Sequence, residues 1–390
     1  MKKNTLIVQT GRRKDWTHGI VNPPVYHAST VLFDTVADLN NAIRNRDTSL
    51  YYGRRGTPTS FALAEALTEL EGGAGCSLYP SGLAAVCASI LAFVAHGDHI
   101  LVSDSVYDPT RNFCDQQLKR MGVETTYFDP QIADGIGSLI KKNTSLIFLE
   151  SPGSITMEIQ DVPAITKIAK KYGVKVILDN TWASPLYFRP LEHGVDVSVQ
   201  AATKYIVGHS DAMLGAAIAN KENYEQLREN SYQLGYCAAP DDVYLALRGL
   251  RTLDVRLKQH EKNALTVAHW LQQHECVDHV RHPALADFPG HDIWARDFDG
   301  STGLFSFVLK SGSEKAVTAM LDGMQHFKMG FSWGGYESLI LAYHGLKKYR
   351  TATNWSAPGP LLRLHIGLED PEDLIEDLSA GFARLLAESD

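Results

Sequence analysis

Through the middle of the chain, apolar positions switch repeatedly between a period of two and a helical period. Short β-rich apolar runs fall at 76–79, 99–103, 145–150, 174–178 and 195–199. Between them lie helical stretches such as SGLAAVCASILAFV at 81–94 and PAITKIAKKYG at 163–173. This alternation predicts an α/β unit from about 55 to 250, a parallel sheet wrapped by helices. A long helical pattern over 241–275 then leads into a smaller α+β region, with strands expected in GLFSFVLK at 303–310 and LLRLHIGL at 361–368. Asp370 as N-cap and Pro371 at the first position announce a last helix. Residues 1–54 lack strong periodicity, yet Tyr26, Phe33, Tyr51 and Tyr52 make them too apolar for a free tail. The division expected is an arm at 1–54, an α/β domain at 55–250 and an α+β domain at 251–390.

Composition narrows the classes. A chain of 390 residues has room for two or three domains, and its net charge of −8 offers no basic field for nucleic acid or an anionic membrane. The first residues, MKKNTLIVQTGRRKD, turn polar where a signal peptide needs an apolar core, and no apolar run is long enough to span a bilayer. Five cysteines, an odd number without a C-x-x-C pair, fit a reducing cytoplasm.

Two residues stand out against this ordinary background. The run VDVSVQ at 195–200 leads to Lys204, and VKVILDN at 174–180 contains Asp179. Both sit just past the expected carboxyl ends of strands, the edge where open α/β sheets bind ligands. A lysine there can hold pyridoxal phosphate covalently while an acid holds its ring nitrogen, although most lysines are simply solvated. YPSG at 79–82 ends a strand and opens a helix, whose N-terminus suits a phosphate, or is a plain strand–helix turn. YYGRRGTPT at 51–59 combines arginine forks with tyrosine hydroxyls, as a phosphate site would; a solvated basic loop is the ordinary alternative. Tyr107 follows the strand at 99–103 and could stack on a flat ring or merely precede the turn at Pro109. Arg363 lies inside an apolar strand, where a charge needs either a substrate carboxylate or a buried acid. His96 and His99 lack a third ligand, so no metal site is expected.

Taken together, YGRRGTPT, YPSG, ESPGSITMEIQD, LDNTW, ATKYIVGHSD, SWGGYESL and LRLHIGLED resemble the transsulfuration enzymes among the fold-type I pyridoxal-phosphate proteins, over essentially the whole chain. RRGT and SWGG are similar to the β-eliminating branch. The resemblance implies a fold-type I architecture, a pyridoxal 5'-phosphate cofactor and a homotetramer, a dimer of dimers with shared active sites. It implies covalent attachment at Lys204, ring-nitrogen contact at Asp179 and stacking by Tyr107, which with Lys204 is a candidate for proton transfer. Gly82, Leu83 and Thr203 would hold the phosphate, joined by Tyr52 and Arg54 from a neighbouring subunit. Ser332, Trp333, Arg363 and Tyr232 would meet the substrate, with Arg363 on the α-carboxylate. The implied reaction is α,β-elimination of L-cystathionine to L-homocysteine, pyruvate and ammonia, in methionine biosynthesis. A broader cysteine-S-conjugate or cystine lyase would share this machinery, and a non-catalytic cofactor-binding regulator is the rival of another class. Three departures stand against the family pattern: Ala201 in place of a serine, Gly153-Ser154-Ile155 in place of S-N-P, and Asn112 where some relatives carry an acid. The segment 343–358 matches no motif.

Overall fold

A computed structural model describes residues 1–47 and 49–388. Seven strands form the larger sheet: β1 (Gly75–Tyr79), β2 (His99–Ser103), β3 (Glu124–Phe128), β4 (Thr144–Glu150), β5 (Lys175–Asp179), β6 (Val197–Gln200) and β7 (Gly215–Ala219). Their order is β1-β7-β6-β5-β4-β2-β3, and only β7 runs antiparallel to its neighbours. The apolar runs of β2, β4, β5 and β6 are almost wholly buried because helices cover both faces. Leu101, Ile147, Leu149, Val176 and Leu178 point into one core, and Ile100, Val102, Leu146, Phe148 and Ile177 into the other. Strand order reverses at β2, which lies between β3 and β4, and that reversal opens a crevice at the carboxyl ends of the parallel strands.

The second sheet has four antiparallel strands: β8 (Val277–Arg281), β9 (Leu304–Leu309), β10 (Leu339–Tyr343) and β11 (Leu361–His365), in the order β10-β11-β9-β8. Between the sheets, the pattern expected as one helix over 241–275 is broken. Helices Pro240–Leu250 and Leu253–Gln273 are separate: Arg251 keeps helical angles, Thr252 departs from them at φ −110° and ψ 8°, and the Arg251 side chain donates from Nη1 to the carbonyl of Ile7 at 2.5 Å. That bond involves the first residues: Lys3–Gln9 is a helix with Ile7 buried, docked on the body of its own chain. The last helix begins as its caps predict, with Asp370 accepting from the Glu372 N–H at 2.9 Å.

Candidate active site

The carboxyl ends of β1, β2, β4, β5 and β6 share one edge of the larger sheet, and a cavity of about 480 Å³ opens there. Lys204, Asp179, Tyr107 and Arg363 all line it. So do Gly82, Leu83 and Thr203 from one side and Ser332 and Trp333 from another. Residues spread over more than 280 positions therefore converge on one space.

Lys204 follows β6 in a turn fixed by its own N–H to the carbonyl of Ala201 at 3.0 Å. Its Nζ donates to Ser332 Oγ at 2.6 Å and sits 5.4 Å from the Trp333 ring centroid. Burial, and then the charge of Arg363, push the Lys204 ammonium down to about 8, against a smaller opposing pull from Asp179. The turn carrying Ser332 and Trp333 presses on the Lys204 backbone. A Cβ on Gly334, whose φ is +87°, would meet the Lys204 carbonyl carbon at 2.8 Å, so glycine is required there.

Two carboxyl groups face the cavity from adjacent strands, since Glu150 and Asp179 are register partners across β4 and β5. Asp179 accepts from the Thr181 hydroxyl at 2.5 Å and its N–H at 3.0 Å. The same hydroxyl accepts from the Ala201 N–H at 2.8 Å, which locks the ends of β5 and β6 together. Burial raises the Asp179 carboxyl, partly offset by Thr181. Burial and then Asp179 raise Glu150 well above the carboxylate range, and Glu150 accepts from the Tyr107 N–H at 2.7 Å. Neither acid has a cation in ion-pair contact among the described residues. A ring bearing a protonated nitrogen would supply the missing positive charge.

The opposite requirement is met at the helix Gly82–Leu91. Its first turn pairs Ala84 N–H with Ser81 Oγ at 3.1 Å and Ala85 N–H with the Ser81 carbonyl at 3.1 Å. The Gly82 and Leu83 N–H groups precede any intrahelical bond and are donors for an anion. Gly82 is required by close approach: a Cβ there would lie 2.4 Å from the Cβ of Ala201. Thr203 is less free than its candidate role asks, because its hydroxyl accepts from the Leu214 N–H at 2.9 Å. A donor cradle at one end of the cavity and an uncompensated acid pair in it fit pyridoxal phosphate.

The comparisons with known proteins agree with this fit. The model of the family described as "Cys/Met metabolism PLP-dependent enzyme" matches residues 4–383. The chain belongs to that family. Its cofactor is pyridoxal phosphate, and its relatives at about half identity are named cystathionine β-lyases, which are carbon–sulfur lyases. It is 51% identical over 384 residues to a putative cystathionine β-lyase of Rhizobium johnstonii, covering 97% of this chain and 96% of that one. It is 50% identical to the cystathionine β-lyase MetC of Escherichia coli over 99% of both chains. A crystal structure of cystathionine γ-synthase from Xanthomonas oryzae pv. oryzae, in complex with aminoacrylate and cysteine, superposes with a TM-score of 0.89 at 34% identity, covering 99% of each chain.

Within this PLP-dependent enzyme, the three arginines lining the cavity differ in one respect. Arg111 is paired with Asp104 at 2.7 Å and Arg350 with Glu158 at 3.1 Å. Arg363 has no carboxylate partner among the described residues; its guanidinium lies 5.5 Å from the Tyr343 ring centroid and touches the Ser332 carbonyl at 3.5 Å. It is the cation left over for a ligand carboxylate. Tyr52, Arg54 and Tyr232 are not brought to this cavity. Arg54 donates to the Tyr232 carbonyl at 3.1 Å, and both line a separate cavity of about 440 Å³ with the first residues of β1. Sequence reading missed Glu150 and Thr181. Thr181 was within sight in LDNTW, as a hydroxyl two residues after the acid; Glu150 gives no local signal, since only the β4–β5 register sets it beside Asp179.

Proposed function

We propose that this chain cleaves L-cystathionine by α,β-elimination, releasing L-homocysteine, pyruvate and ammonia for methionine biosynthesis. The observation that carries the reading is the pairing, in one cavity, of a deprotonatable lysine with an arginine free to take an α-carboxylate. The half-identity to β-lyases over the full chain gives it its substrate. Held by Lys204 until the substrate amine displaces it and frees that lysine, pyridoxal phosphate would supply the sink for the electron pair left when the α C–H bond breaks. Arg363 holds the substrate α-carboxylate as a planar fork and so presents the α-hydrogen in a fixed direction. Lys204, with a proton affinity lowered by burial and by Arg363, takes that hydrogen as general base. Ser332 orients the amine through the 2.6 Å hydrogen bond. Asp179, held by Thr181, would hold the protonated ring nitrogen of the cofactor. Tyr107 is held as a neutral phenol by burial and by the nearby Glu150 and Asp179, which suits it to give a proton to the departing sulfur. Lys204, once protonated, is the other donor within the site. The test is incubation of the purified yellow protein with L-cystathionine: pyruvate and free thiol are expected in equal amounts, and an absence of both refutes the reading.

We further propose a homotetramer, a dimer of dimers, acting in the cytoplasm. Support for assembly comes from Tyr52 and Arg54, which stand apart from their own chain's cavity, with Tyr52 41% exposed. Cytoplasmic action is supported by five unpaired cysteines. If Arg54 serves a neighbour's phosphate site, inactive Arg54→Ala and Lys204→Ala proteins refolded together should regain activity, because one site per mixed dimer is then intact. Mixtures that stay inactive would show that each site is built from one chain.

A further inference from the structure

In the segment after β10, residues 351–353 close around the Asp104 carboxylate at the end of β2. Asp104 stands just past the end of β2, and its side chain has no exposed surface. Its Oδ1 accepts from Arg111 Nη2 at 2.7 Å, from the Thr351 N–H at 3.0 Å and from the Thr351 hydroxyl at 3.2 Å. Its Oδ2 accepts from the Ala352 N–H at 3.2 Å, the Thr353 N–H at 2.9 Å and the Thr353 hydroxyl at 2.8 Å. Three successive backbone N–H groups thus close around an anion that belongs to the protein itself. Arg111 is fixed in turn, with its guanidinium 3.7 Å from the Tyr127 ring centroid and a second bond to the Asp104 carbonyl at 3.0 Å. The preceding residue, Arg350, is held by Glu158 and by the Thr156 hydroxyl.

Immediately before this tether, Tyr343, Leu346 and Tyr349 form part of the cavity wall, and Tyr343 lies beside Arg363. None of the steps assigned to Lys204, Asp179, Tyr107 or Arg363 uses Asp104 or Arg111. A small leaving group makes no demand on that wall, whereas the homocysteine half of cystathionine must be housed in the same cavity.

We propose that Asp104, backed by Arg111, is a positioning residue that anchors the strap 350–353, fixes the Tyr343–Tyr349 wall, and thereby selects long thioether amino acids over alanines with a small β-substituent. The inference rests on the β-lyase reading and adds the device that sets substrate length. Asp104→Asn keeps one acceptor oxygen but puts an NH2 where the other accepted from the strap, and removes the charge opposite Arg111, a state relieved by release of the strap.

The experiment compares holoenzymes carrying Asp104→Asn, or Thr351→Val together with Thr353→Val, on two substrates that both report pyruvate: L-cystathionine and 3-chloro-L-alanine. In Asp104→Asn the KM for cystathionine is expected to rise about tenfold or more, with kcat/KM for chloroalanine held within about twofold. Trypsin should cut after Arg350 about tenfold faster than in the wild type, because the strap opens more often. The threonine pair loses two hydroxyl donors and keeps the Asp104–Arg111 ion pair, so it should show the same split at about two- to fivefold, and it decides the matter if Asp104→Asn does not fold. Equal losses on both substrates, or an unchanged cystathionine KM, would overturn the proposal. A wild-type enzyme that eliminates chloroalanine and leaves cystathionine intact would instead overturn cystathionine as the substrate, and with it the preference for long thioethers.

Discussion

Lys204→Ala is expected to retain the cofactor and lose turnover by about 10³-fold or more, the range for removing a positioned general base. The retained binding follows from groups untouched by the substitution: the Gly82 and Leu83 N–H donors and the Asp179–Thr181 unit. The lost turnover follows because no other lysine lines the cavity among the described residues, and Tyr107, the nearest alternative, is kept protonated by burial and two acids. Absorbance of bound cofactor alongside steady-state rates separates the two effects. In the wild type, borohydride reduction followed by peptide mapping should label Lys204. Label on another lysine would remove the basis of the assignment.

Arg363→Ala is expected to lower kcat/KM by about 100-fold, near 3 kcal/mol for a lost charge-assisted pair, mostly through a higher KM. A second signature separates this from general damage. Arg363 is one of the causes that push Lys204 down to about 8. Without it, the ammonium holds its proton to higher pH, so the basic form of Lys204 and the rising limb of the pH–rate profile should both move upward. Arg363→Lys keeps the charge and loses the fork. It should leave the limb near its original position while KM still rises. A profile unmoved in Arg363→Ala would sever the proposed electrostatic link between the two residues.

What could be read beforehand divides along a physical line. β2, β4, β5 and β6 are continuous apolar runs, and buried parallel strands announce themselves that way. β7 does not, because GAAIA is made of small residues; it lies between β1 and β6, and a Cβ on Gly215 would meet the Ser81 carbonyl oxygen at 2.1 Å. β3, ETTYF, is an edge strand with a polar face and gives a weak signal. The same division holds at the site. Lys204, Asp179 and Arg363 carry chemistry that is unusual for their local pattern. Glu150 and Asp104 look like any acid at a strand end, and their meaning comes from partners in β5 and in the strap at 350–353. The docking of Lys3–Gln9 likewise involves a distant partner, through the bond from Arg251 to Ile7.

The central claim concerns which carbon–sulfur bond is broken. Trp333 lines the cavity with the arginine clamp and packs on Tyr205 at 5.4 Å between ring centroids, while Phe331 lines it from an exposed position. γ-Elimination needs a second proton removed at Cβ and room for the substrate to shift. Aromatic bulk on this side favours direct loss of sulfur from Cβ, and a barrier difference of only about 3 kcal/mol gives more than a hundredfold preference. Mass-spectrometric identification of the keto acid and the thiol amino acid formed from L-cystathionine tests this directly. Pyruvate with homocysteine is the predicted pair; predominant 2-oxobutyrate with cysteine would contradict the β-lyase account.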